Sequence, residues 1–132
     1  MSEKHKGSCL CGAVRFEIAG AFEHFFLCHC SRCRKGSGSA HGANLFATSA
    51  EITWLSGEEK VTSFALAGTR HARSFCATCG GALPSVQGKV LVVPAGSLDT
   101  PVVKRPGAHI KLASRADWDC ALQDVPSFDD LP

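Results

Sequence analysis

The sequence predicts an all-β protein with little helix. Three observations carry this: short apolar–polar alternations of strand length, thirteen glycines and six prolines in 132 residues, and no stretch that keeps a helical period over three turns. Length argues for one domain, and 45% hydrophobic with 20% charged residues fits a globular one. The expected architecture is two or more short antiparallel sheets.

The elements follow in chain order. In "AVRFEIAG", Val14, Phe16 and Ile18 alternate with Arg15 and Glu17 and stop at Gly20, a half-buried strand. A short turn of helix is expected just after Cys30. "EITWLSGEEKVTSFALAG" offers strands around Ile52–Leu55 and Val61–Leu66, and the turn Ser56–Lys60 between them reads as a hairpin. "GKVLVV" is a continuous apolar run between Gly88 and Pro94, as in a strand covered on both faces. "AHIKLAS" alternates again, with Ile110 and Leu112 on one face, and a second helical turn is expected near Ala116–Leu122. Residues 1–125 read as a single domain and 126–132, "PSFDDLP", as an acidic surface tail.

The segment "MSEKHKGSC" is too polar for a signal peptide, and the longest apolar run, Val90 to Ala95, is too short to cross a bilayer. The expectation is a soluble, cytoplasmic protein with no membrane partner. In a reducing compartment, eight cysteines point to metal ligation more than to disulfides.

The cysteines fall into Cys9-x-Cys11, Cys28-x-Cys30-x-x-Cys33, Cys76-x-x-Cys79 and a solitary Cys120. Two pairs on separate hairpins suit a closed tetrahedral zinc site, so Cys9, Cys11, Cys76 and Cys79 are the expected structural set. Closing the loop from Cys11 to Cys76, roughly 65 residues, costs about 4 kcal/mol. Structural zinc contributes on the order of 10 kcal/mol or more. The metal term wins, so such a site can hold a small β-domain together. Disulfides or free buried thiols are the alternative.

Cys28, Cys30 and Cys33 supply three thiolates from one tight loop. Catalytic zinc sites characteristically keep three protein ligands and one exchangeable position, and a soft sulfur ligand suits this one. The competing reading is a second closed site, completed by Cys120 or by a histidine among His24, His29, His41, His71 and His109. Two Zn²⁺ on seven thiolates, four positive charges against seven negative, would take the formal charge from +2 to about −1. That excludes a broad nucleic-acid surface, so a zinc-ribbon nucleic-acid binder is disfavoured.

The order of these groups resembles the glutathione-dependent formaldehyde-activating enzyme family, small zinc proteins with an Mss4-like β fold. The resemblance runs through "GSCLCGAVRFEI" (7–18), "CHCSRCRKGSGS" (28–39), "SFCATCGGAL" (74–83), "VVPAGSLD" (92–99) and "HIKLASRADWD" (109–119). It implies a structural Zn²⁺ on the four-cysteine set and a second, catalytic Zn²⁺ on Cys28, Cys30 and Cys33. It also implies glutathione and formaldehyde, or a related small aldehyde, as substrates of a carbon–sulfur lyase type of enzyme giving S-hydroxymethylglutathione. The alternative is a non-catalytic, zinc-stabilised module that binds glutathione or a protein. Cys120 departs from the family pattern and stands as a possible fourth ligand.

Arg32, Arg34 and Lys35, with the backbone of Gly36, Ser37 and Gly38, are candidates to meet glutathione's carboxylates. His41 and Ser37 are acid–base candidates by nearness to the loop, and Asp99 and His109 by the resemblance. The aromatics Phe16, Phe46, Trp54, Phe64, Phe75 and Trp118 read as core before they read as a pocket lining.

Overall fold

The computed structural model describes residues 3–132. Among these residues eleven strands form three small sheets, with one two-turn helix. The first sheet joins β1 (Lys4–Ser8), β2 (Arg15–Ala19) and β5 (Glu51–Ser56). Its alternation is the one visible in the chain: Phe16 and Ile18 of β2 turn inward, opposite Trp54 and Ile52 of β5. Gly7 of β1 lies against the Phe16 ring and 2.5 Å, measured from where a Cβ would stand, from the Ser97 carbonyl. Any larger residue there would force the Phe16 ring and the Ser97 backbone to shift.

The second sheet runs β11 (Ala108–Ile110), β3 (His24–Cys28), β4 (Gly42–Ala47), β10 (Val90–Pro94) and β9 (Ser85–Gln87). All its pairings are antiparallel except β11 on β3. Helix α1 (Ser31–Ser37) connects β3 to β4 at the place expected after Cys30. The third sheet is β6 (Val61–Ala65), β7 (Ala72–Cys76) and β8 (Ala82–Leu83). Between the sheets Val14, Phe16, Ile18, Leu45, Leu83 and Val93 are almost wholly buried. Each such side chain contributes about 1.5–3 kcal/mol by leaving water.

Two local expectations are overturned. The strands at 52–55 and 61–66 do not form a hairpin: β5 pairs with β2, and β6 pairs with β7. Gly57 turns the chain at φ 72° into a 3₁₀ turn (Glu58–Lys60), which redirects it out of one sheet and into another. The apolar side chains of β5 find their partners on β2, whereas β6 buries almost nothing and is placed by its register, with Val61 opposite Cys76. The alternation at "AHIKLAS" also fails. Lys111 adopts φ 56°, ending β11, and Leu112 enters a 3₁₀ turn where it is exposed.

Strand β10 is covered on both faces, but unequally. Leu91 and Val93 face the core, while Val92 and Pro94 form part of a cavity wall. The second expected helical turn shrinks to a 3₁₀ turn at Leu122–Asp124. Residues 126–132 are exposed throughout. Among the described residues no helix is long and apolar enough to cross a membrane.

Candidate functional site

Cys9 and Cys11 follow β1, and Cys76 and Cys79 follow from β7; the four sulfurs lie within 4.8 Å of one another. Cys9 and Cys76 are buried and belong to the core. All eight cysteines are free thiols. The Cys9 and Cys11 sulfurs stand 3.7 Å apart, close to the ~3.8 Å that two corners of a tetrahedral zinc site with ~2.3 Å bonds would show.

Backbone amides point at these sulfurs. Val14 donates to Cys9 at 3.3 Å, Thr78 to Cys76 at 3.4 Å, and both Cys11 and Gly81 to Cys79 at 3.4 Å. The two amides on Cys79, from Cys11 and Gly81, draw its thiol down to about 6. Burial opposes ionisation of Cys9, yet the Val14 amide and the neighbouring sulfurs leave its thiol below the ordinary value. Cys11 gains from the Ala13 amide but takes the repulsion of the neighbouring sulfurs, Cys9 first, and rises to about 11. Four thiols so close cannot all ionise without a cation. The donor set therefore fits a tetrahedral thiophilic metal such as zinc.

The second cluster forms where β3 hands over to α1. Cys28 ends β3 opposite Gly42 of β4, Cys30 caps α1, and Cys33 lies in its first turn. Their sulfurs too lie within 4.8 Å of one another. The Cys30 sulfur accepts from the Cys33 amide at 3.4 Å, which serves as the helix cap. Burial and the two neighbouring sulfurs push the Cys33 thiol far up, while for Cys30 the amides outweigh the cost of burial. Among the described residues no further Cys, His, Asp or Glu joins this trio. Cys120 is exposed and is not gathered with it.

A cavity of about 130 Å³ opens beside Cys33. Its walls come from α1 (Gly36, Ser37), β4 (Gly42, Asn44), His71 just before β7, β7 itself (Arg73, Ser74) and β10 (Val92). Two glycines shape it. A Cβ on Gly42 would stand 3.6 Å from the Cys33 sulfur, and one on Gly36 would stand 3.4 Å from Arg73 Cδ and 3.7 Å from His71 Nε2. Of the residues expected to meet substrate, Gly36 and Ser37 line this space. Gly38 serves as the left-handed cap of α1, and Arg32 and Lys35 are exposed outside the lining.

Ser37 Oγ donates to the Cys33 and His41 carbonyls at 2.7 and 3.1 Å, tying the helix end to β4. Asp99 accepts from Ser8 Oγ at 2.6 Å, on the first sheet. Phe16 and Trp54 meet edge to face, Phe64 and Trp118 are exposed, and among the described residues no phenylalanine or tryptophan lines the cavity.

Sequence reading offered His71 only as one possible fourth ligand of the second cluster and did not connect Arg73 with it. The only signal was their position shortly before Cys76; that β7 would reach across to α1 is a matter of sheet order. It also missed a histidine group behind the cluster. Buried His29 lies 2.8 Å from His109 (Nε2 to Nδ1) and 3.1 Å from Asp119 (Nδ1 to Oδ2), with the His41 ring 5.1 Å away. Burial first, then His29 and His109, hold His41 below its ordinary pKa.

The family model described as glutathione-dependent formaldehyde-activating enzyme matches residues 4–114. A Halomonas elongata protein named "Putative glutathione-dependent formaldehyde-activating enzyme" is 31% identical over 125 residues, covering 86% of this chain and 78% of the relative. A Rhodobacter sphaeroides protein of known crystal structure shares the fold at a TM-score of 0.56 and 23% identity, over 79% of this chain and 98% of that one. The family match spans both cysteine clusters and every residue of the cavity wall, and on that basis the chain belongs to the glutathione-dependent formaldehyde-activating enzyme family.

Proposed function

We propose that the protein binds two Zn²⁺, one structural and one catalytic, and adds glutathione to formaldehyde or a related small aldehyde. The structural ion would sit on Cys9, Cys11, Cys76 and Cys79. The observation that carries the reading is the trio Cys28, Cys30 and Cys33, with no fourth protein ligand among the described residues and Cys33 beside a cavity. Zinc held by that trio would keep an incoming thiol ionised.

The chain's own groups prepare the rest. Gly42 leaves the Cys33 sulfur uncovered on the cavity side. Asn44 lines the same space, where its amide Nδ2 is a donor for a carbonyl oxygen that gains charge. His71 is held below its ordinary pKa by burial, then by Arg32 and Arg73, so near neutrality its ring is uncharged and can accept the thiol's proton. The reaction is an addition. The glutathione sulfur bonds to the carbonyl carbon, the π pair passes to oxygen, and that oxygen takes a proton; nothing is oxidised or reduced.

The test is formation of S-hydroxymethylglutathione followed by NMR exchange, with protein of measured zinc content. Acceleration over the spontaneous rate, abolished in Cys30→Ser without unfolding, is expected. A rate equal to that in protein-free buffer would refute the reaction and leave a binding module.

A further inference from the structure

Arg73 brings to the cavity beside Cys33 a positive charge that no carboxylate among the described residues pairs with. Arg73 comes from β7 and lines the wall. Its guanidinium is steadied over the Phe75 ring at 5.2 Å, and its stem runs past Gly36, where the missing side chain makes room. Arg32 stands one turn before Gly36 on α1, on the helix face that meets the cavity, and after burial its charge and that of Arg73 oppose protonation of His71. Among the described residues the ion pairs are Lys4–Glu17, Glu3–His5 and His29–Asp119, so neither arginine meets a carboxylate. Among the described residues no acidic one lines the cavity. A half-buried arginine held in place without a counter-ion is an anion receptor in waiting.

We propose that Arg73, assisted by Arg32, is the carboxylate anchor that makes this site select thiols carrying a free carboxylate over neutral thiols of similar size. The inference rests on the thiol-binding reading of the trio and deepens it. The trio would hold the sulfur, while β7 reads the acid. The division follows from the fold, since the two sides of the cavity belong to different sheets. Arg73 would act on binding and leave the bond-forming step alone, so its loss should appear in KM and not in kcat.

The experiment compares affinities of glutathione and glutathione diethyl ester by calorimetry, on zinc-loaded wild type, Arg73→Met and Arg73→Lys. Loss of one charge-assisted contact corresponds to roughly a tenfold to hundredfold change in affinity. Wild type should prefer the acid by that factor, Arg73→Met should bind acid and ester alike, and Arg73→Lys should recover part of the preference. Arg32→Gln, at an exposed helix position, is the second variant if Arg73→Met fails to fold, and it should reduce the preference severalfold.

A preference that persists in Arg73→Met, or in Arg32→Gln when only that variant folds, overturns the anchor and leaves the proposed reaction standing. A wild type without preference also overturns it. A preference lost in Arg73→Met, in a protein that forms no adduct with formaldehyde, keeps the anchor and refutes the reaction.

Discussion

The two cysteine clusters use the same atoms for different ends. The first draws its sulfurs from two segments far apart in the chain, with one amide donor, that of Cys11, crossing 68 residues to Cys79, and two of its sulfurs are core. The second takes all three from the β3–α1 junction, is half-buried, and has its amide donors in its own turn. Closing a long loop makes a ligand set a determinant of folding; closing a six-residue loop changes little in the unfolded chain. A short-loop site beside a cavity is free to serve chemistry.

The largest effect should come from removing one sulfur from each cluster. Cys76→Ser should leave the chain unfolded or strip tens of degrees from its Tm, since ~10 kcal/mol of zinc binding rivals the whole stability of a domain. Cys33→Ser should cost only a few degrees while halving the zinc content. Calorimetric melting with metal analysis decides it, and equal losses would erase the distinction between the clusters.

Gly42→Ala sharpens the comparison from the second side. The added methyl would stand in van der Waals contact with the Cys33 sulfur, and the backbone there is not left-handed. About a tenfold loss of adduct formation, equivalent to roughly 1.4 kcal/mol in the barrier, is expected with Tm nearly unchanged. An unaffected rate would mean that sulfur does not face the substrate.

Asp119→Asn probes what stands behind the second cluster. Asp119 meets His29, which lies between two of the cysteines, so its loss should lower stability by about 1 kcal/mol, a few degrees in Tm. Zinc retention at the first cluster should not change. If the variant released both ions together in a chelator titration, the clusters would be coupled rather than independent.

The smallest effect belongs to a site remote from both. Glu23 is held below its ordinary 4.5 by the Thr48 hydroxyl, with the Thr48 amide adding to it. A depressed carboxylate contributes stability that is fully present above the ordinary value and is lost as pH falls through the folded one. Glu23→Gln should therefore cost a little at neutral pH and flatten the acid limb of a Tm–pH curve below about 4.5. A steeper limb in the variant would contradict this.

Much of the molecule was legible in the chain. Alternation at Phe16 and Ile18, the helical turn after Cys30 and the grouping of seven cysteines into four and three follow from period and spacing, which are local properties. The failures were non-local. Nothing near residues 52–66 announces that β5 and β6 belong to different sheets, because strand pairing is set by distant partners. Arg73, on a strand whose nearest motif is the first cluster, turns out to face the second across a cavity.

By itself, then, the sequence determined the all-β class and the ligand groups, since donor type and tight spacing are written within a few residues. Only the tertiary structure decided which walls meet beside Cys33, that Cys120 stays apart from the trio, and that Arg73 lines a space to which no carboxylate among the described residues contributes. Those facts depend on sheet order, and sheet order is settled by the packing of side chains far apart in the chain.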